Sequence, residues 1–161
     1  MALLRMDNVL VVVEDLEAAI AFFVELGMEL EGRMQIEGDW ADRVIGIDNA
    51  RDEIAMLRTP DGHGRLELTQ FHTPAAVGPK PKDLPVNALG YRRVMFAVDD
   101  LDDVLARLRT HDAELVRDVV QYEDVYRVCF VRGPEGLIVG LAQPLKEPQP
   151  DLYTASASTS E

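Results

Sequence analysis

The sequence predicts an α+β fold made of two tandem βαβββ units, and three observations carry that prediction. First, a stretch from Asn8 to Glu31 (NVLVVVEDLEAAIAFFVELGMELE) reappears from Arg93 to Val116 (RVMFAVDDLDDVLARLRTHDAELV), in register without a gap at an offset of 85 positions. Val9 meets Val94, Val13 meets Val98, Asp15 meets Asp100, Leu16 meets Leu101 and Leu30 meets Leu115. Second, a Pro-acid-Gly turn follows in both halves, Pro60-Asp61-Gly62 and Pro134-Glu135-Gly136. Third, residues 73–90 hold four prolines and two glycines and read as a linker between the halves rather than as sheet. A regular internal repeat of this kind is the mark of a duplicated supersecondary unit.

Each element has its own reason. Val9–Val13 and Val94–Val98 are apolar, β-branched-rich runs, so they read as strands. The acids that follow, Asp15 and Asp100, stand where a helix N-cap belongs and suit the positive end of its dipole. Leu16, Ala19, Ile20 and Phe23 then form one apolar stripe, and Leu101, Val104, Leu105 and Leu108 form its copy, giving helices over 16–26 and 101–109. Gly27 ends the first helix. Further strands are expected at 30–36, 54–57 and 65–71 in the first half, with a short capped helical turn at 39–43. The second half should carry strands at 115–120, 126–131 and 137–142. The first unit then spans about 7–72 and the second about 91–145, together one domain of residues 1–145, and residues 146–161 are expected to form a flexible tail.

Composition narrows the function classes. Hydrophobic residues make up 47% of the 161-residue chain and charged residues 28%, a globular balance. The formal net charge of −13 argues against nucleic acid as a partner, because phosphate binding needs a basic face. No apolar run approaches a membrane span, and Asp7, Glu14 and Asp15 interrupt any signal-peptide pattern. The single cysteine, Cys129, lies in an apolar strand and reads as a buried thiol, and the expected home is the cytoplasm.

Two βαβββ units with these turns resemble the vicinal oxygen chelate superfamily of glyoxalase, bleomycin-resistance and extradiol-dioxygenase proteins. The residues that carry the resemblance are VLVVVEDLEAAIAFFVELGMEL, the LEL of the fourth strand, VMFAVDDLDDVLARL and GPEGLIVGLAQ. The resemblance implies that the units together form a curved, cup-like mixed sheet with the helices outside. It also implies four metal-ligand positions in metal-using members, usually His or Gln and Glu. Those positions fall here on Asn8, Glu67, Arg93 and Gly140, so one of the four keeps ligand character. An amide oxygen is a poor first-row metal ligand, a guanidinium does not coordinate, and glycine has no side chain. No metal and no other cofactor are therefore expected.

Strand parity supplies the candidate ligand-binding face: Asn8, Leu10, Val12, Glu67, Thr69, Phe71, Arg93, Met95, Ile138 and Gly140, joined by Ala97 and Ala142. This is an apolar surface with one amide, one acid and one base, a composition suited to a small organic molecule with few polar anchors. Glu67 opposite Arg93 would make a bidentate pair. Two readings of that pair stand, a structural ion pair and a ligand anchor. His63, His72 and His111 fall in turns or at strand ends and read as solvated histidines. Tyr122 and Tyr126 flank an acidic turn, as ligand-mouth or exposed edge residues, and Trp40 reads as a lid or a surface residue.

The leading expectation is a cytoplasmic, metal-independent homodimer that binds a small organic molecule, as the bleomycin-resistance-like members of the family sequester a drug. The alternative is an enzyme, with Glu67 and Arg93 as its catalytic residues. A metal-free isomerase, lyase or epimerase of glyoxalase type would use Glu67 as base and Arg93 to stabilise an oxyanion, in preference to a dioxygenase. No nucleic acid and no membrane are expected as partners.

Overall fold

Two sheets with the same strand order follow from the repeat. The structure is a computed structural model and describes residues 5–78 and 82–146. The first half contains β1 (Val9–Val12), α1 (Leu16–Leu26), β2 (Glu29–Glu37), α2 (Asp39–Ile45), β3 (Arg51–Arg58) and β4 (Arg65–Thr73). The second contains β5 (Arg93–Ala97), α3 (Leu101–Arg109), β6 (Glu114–Leu115), β7 (Val120–Tyr122), β8 (Tyr126–Arg132), a 3-10 turn (Pro134–Gly136) and β9 (Ile138–Pro144). The first sheet runs β1-β4-β3-β2 and the second β5-β9-β8-β6, with β7 also on β8. In each, the strand before the helix pairs in parallel with the last strand, and the remaining pairs are antiparallel.

The helices start alike for the same chemical reason. Asp15 accepts a hydrogen bond from the Ala18 amide and Asp100 one from the Asp103 amide, each at 3.0 Å. A second cap was not visible in the sequence. The Gln70 side-chain oxygen accepts from the Leu16 amide at 3.1 Å, and Gln143 accepts from the Leu101 amide at 2.9 Å. Each helix therefore has two orphan N–H groups satisfied, one by its own cap and one by the last strand of its unit.

The apolar stripes of α1 and α3 are buried, and they share one core with Leu66, Leu68, Ala55 and Leu57 from the first sheet and Cys129, Val131, Val139 and Leu141 from the second. Phe23 packs edge-on against Phe22 and at 6.5 Å between centroids against Phe96 of the other half. Each sheet thus has a helix-covered side facing this core and a helix-free side.

The irregularities are local. The strand expected at 115–120 is two short strands, β6 and β7, parted at Val116–Val119. The exposed Arg117–Asp118 pair sits in that gap, and two charged neighbours on an edge have no face to bury. The helical turn expected at 39–43 extends to Ile45, and its N-cap is Gly38, with no side-chain cap. Asp42 instead turns forward and accepts from the amides of Asn49 and Ala50, fixing the loop into β3. The third strand begins at Arg51 rather than Ile54. Between Thr73 and Arg93 the described residues form neither strand nor helix. The expected tail lies, from residue 147 on, outside the described residues, as do Pro79, Lys80 and Pro81. No helix among the described residues is long and apolar enough to cross a membrane.

Candidate functional site

The helix-free side of the first sheet is assembled by register. Leu10 pairs with Glu67 and Val12 with Thr69 across β1 and β4, while Thr69 pairs with Ile54 and Glu67 with Met56 across β4 and β3. Leu10 is 49% exposed and Val12 39%, so an apolar surface faces outward here. Phe71 continues the face along β4 and pairs with Asp52.

Asp52 escapes the sequence pattern because its strand begins three residues before the expected start at Ile54. Once β3 begins at Arg51, alternation puts Asp52 on the same side as Ile54 and Met56. It is buried, as is Thr69, and neither Asp52 Oδ1 nor Thr69 Oγ1 has a hydrogen-bond partner among the described residues. Burial pushes the Asp52 carboxyl above its ordinary pKa, against the opposing pull of a backbone hydrogen bond. Burial also raises Glu67, and the charge of Asp52 adds to that shift.

On the second sheet Arg93, Ile138 and Arg132 share one rung, and Met95, Gly140 and Phe130 share the next but one. The Arg93 guanidinium lies 4.5 Å from the centre of the Phe130 ring. A Cβ on Gly140 would overlap Met95 Sδ and lie 3.3 Å from Arg93 Cδ. Glycine at this position is therefore coupled to a methionine that fills the missing side chain's space. Next to it is a cavity of about 260 Å³ lined by Val86, Arg92, Arg93, Phe130 and Ile138. A larger cavity, about 630 Å³, runs between the halves, bounded by Met28, Asp61, Ala97, Asp99, Val104 and Arg107 among others.

The structure brings the predicted face residues together within each half. It does not join the two helix-free faces through the expected pair: among the described residues Glu67 and Arg93 make no salt bridge, and the charge acting on Glu67 is that of Asp52. Asn8 precedes β1 and is half-buried. Trp40 is 61% exposed on α2, and Tyr122 and Tyr126 pack with ring centres 5.6 Å apart. His72 and His111 sit beside Glu53 and Glu25 at 3.8 and 3.5 Å. Cys129 is buried, which raises its thiol pKa. No group of three or more His, Cys, Asp or Glu side chains among the described residues is placed to hold a metal ion.

Solved structures with this architecture include a glyoxalase family protein from Bacillus cereus, 55% identical over 91% of this chain and 99% of that one, with a TM-score of 0.86. A trypanothione-dependent glyoxalase I from Leishmania major is 20% identical over 86% of each chain at a TM-score of 0.59, a likeness of fold alone. A glyoxalase family protein from Enterococcus faecalis stands similarly, 21% identical over 88% of this chain and 99% of that one at a TM-score of 0.56. No curated protein sequence matches the chain. A family model matches residues 5–141, from the lead into β1 to the middle of β9, and so takes in both βαβββ units with their helices, turns and helix-free faces; the chain belongs to the Glyoxalase/Bleomycin resistance protein/Dioxygenase superfamily.

Proposed function

We propose that this protein is a metal-independent binder of a small organic molecule, held on the helix-free faces of its sheets, and that it sequesters a drug or metabolite in the cytoplasm as a homodimer. The observation that carries this reading is the Met95–Gly140 contact. Metal-using relatives would place a carboxylate ligand at Gly140, and here that space is taken up by Met95 Sδ with Arg93 alongside. A divalent cation does not fit this donor set: Asn8 offers an amide, Arg93 a fixed positive charge that repels it, and Gly140 nothing. What remains is apolar surface with a few polar anchors, the composition of a small-molecule site. The dimer is supported by the edge strands β1 and β5 and by the exposed Leu10, Val12 and Met34, surface that a second copy would cover.

A second reading is favoured by one observation. Glu67 is half-buried and its pKa is raised by that burial, with the charge of Asp52 adding to the shift, as a general base or acid requires. That suits a metal-free isomerase, lyase or epimerase. Its partner Arg93 belongs to the other sheet, so within one chain the two do not act as a contact pair.

Native mass spectrometry of freshly purified protein, together with elemental analysis, tests the proposal. A co-purified organic molecule without stoichiometric metal is expected, at twice the chain mass. Stoichiometric zinc, iron, nickel or manganese whose removal abolishes ligand binding would overturn it. Conversion of the bound molecule on incubation would favour the enzyme.

A further inference from the structure

The second sheet's cavity has a chemistry of its own. In a chain of net charge −13, arginines are expected to find carboxylates, and most do. Arg33, Arg58, Arg65, Arg107 and Arg127 all lie against Asp or Glu. Arg92, Arg93, Arg109 and Arg132 do not, among the described residues, and three of these four, Arg92, Arg93 and Arg132, come together at one end of β5, β9 and β8. Arg132 is used up structurally, donating to the carbonyls of Leu84 and Gly136. Arg92 donates one guanidinium N–H to the Leu89 carbonyl at 2.8 Å, while its buried Nε has no partner. Arg93 is exposed, makes no side-chain hydrogen bond among the described residues, and lies over the face of Phe130.

Stacking on an aromatic ring engages the flat face of a guanidinium and leaves its in-plane N–H edge available. That edge is the part that matches a carboxylate bidentately. Arg92 precedes β5 and Arg93 begins it, yet both border the same 260 Å³ space, and among the described residues no acidic side chain lines it. The remaining walls, Val86, Phe130 and Ile138, are apolar. The volume is below the ~300–1,000 Å³ usual for drug-sized ligands, so the occupant is small or enters only in part.

We infer that Arg92 and Arg93 form an anion subsite that takes the carboxylate of a small organic acid, with its apolar body against Phe130, Ile138 and Val86. The inference rests on the reading of the helix-free faces as ligand-binding surfaces, and it names the ligand class for one of them. It also adds a residue, Arg92, that strand parity alone does not select, because Arg92 lies just outside the strand.

The probes are benzoate, its neutral isostere benzamide and inorganic phosphate, titrated into the wild-type protein while the arginine Nε–Hε signals of Arg92 and Arg93 are followed by NMR. Benzoate is expected to shift both signals and to bind at least tenfold more tightly than benzamide. Arg92→Gln and Arg93→Gln should each weaken benzoate by about tenfold and leave benzamide unchanged. Phe130→Leu, which keeps the charges, should weaken benzoate less than either. Thermal unfolding of each variant checks that the fold is retained. Equal binding of benzoate and benzamide, indifferent to the arginine variants, would sink the anion subsite and leave the proposed binding function standing. Failure of both organic probes to bind would count against both. Tighter binding of phosphate than of benzoate would overturn the assignment to an organic carboxylate.

Discussion

The two halves descend from one plan, and the rungs at which they differ teach more than those at which they agree. Asn8 in the first half corresponds to Arg93 in the second, and Glu67, paired with Leu10, corresponds to Gly140, paired with Met95. The first helix-free face holds acids, Glu67 with the buried Asp52, whose charge adds to the burial that raises the Glu67 pKa. The second holds arginines and, among the described residues, no acid lining the cavity beside them. A charge kept in one half and absent at the equivalent position of the other is what a duplicated scaffold allows, because the helix-covered side, shared by both halves, keeps the fold while the other side diverges.

The grooves between the halves differ in the same way. Beside β1, Lys82 bridges Glu14 and Glu135 at 3.0 Å to each, and its backbone carbonyl lies against Gly136. Beside β5, the corresponding acids Asp99 and Asp61 border the open 630 Å³ cavity instead. The connection between the halves passes once, so it fills one of two equivalent grooves. Pseudo-symmetry of the units therefore does not extend to the spaces between them.

The largest expected effect breaks what the halves have in common. Phe23 is fully buried and touches Phe22 of its own helix and Phe96 of the other half. Phe23→Ala should cost about 3–5 kcal/mol. Because the core is shared, both halves should lose structure in one transition in urea, monitored by far-ultraviolet circular dichroism. Two separated transitions would show that the halves fold independently.

Next comes the rung where the halves diverge. Gly140→Ala places a methyl in the space of Met95 Sδ and should cost about 1–3 kcal/mol. In the double variant Gly140→Ala, Met95→Ala the overlap is gone, so the cycle should show strong coupling. At the equivalent rung of the first half, Glu67→Ala removes a carboxylate that burial disfavours and should cost less. Additivity of the two second-half changes in thermal unfolding would mean that Met95 has moved away without penalty.

Helix starts, by contrast, should respond alike. Asp15→Ala and Asp100→Ala each remove one cap bond of the same length and should each cost about 1 kcal/mol. A large difference in chemical denaturation would show that Gln70 and Gln143, the second caps, are not equivalent.

The cap acids, the apolar stripes and the strand order were legible in the sequence because each is a local pattern repeated twice. Glu67, Arg93 and Gly140 fall on the ligand positions that the family resemblance implies, and strand alternation sets them and Met95 on the helix-free faces. Asp52 was not, because Arg51, Asp52 and Glu53 look like loop until Asp42 anchors the preceding turn and the strand extends through them. Gln70 and Gln143 escaped for a related reason: their partners Leu16 and Leu101 are distant in the chain, and no local pattern links a glutamine to a helix start far upstream. Arg92 was passed over since parity describes strand residues, and its guanidinium reaches the cavity from outside the strand. The Met95–Gly140 fit was unreadable because it is a packing relation between neighbouring strands.

The smallest effect expected is at Asp52, and its sign depends on pH. Burial raises the folded-state pKa of this carboxyl above the ordinary 3.8, which means that the fold disfavours the charged form. The penalty is fully present above the folded-state pKa and is relieved as pH falls through it, vanishing below the unfolded value. Asp52→Asn carries no charge to bury, so at neutral pH the variant should unfold at a higher temperature than the wild type. The gain is limited because the backbone hydrogen bond that opposes the shift favours the carboxylate and is weakened by an amide. Losing the charge also removes one cause of the raised Glu67 pKa, so Glu67 should titrate closer to its usual range. Thermal unfolding of both proteins from neutral pH down to below 3.8 checks the argument. The two curves should converge as pH falls; parallel curves, or a variant less stable throughout, would mean that its own backbone and the His72 charge together outweigh the burial of the Asp52 carboxylate.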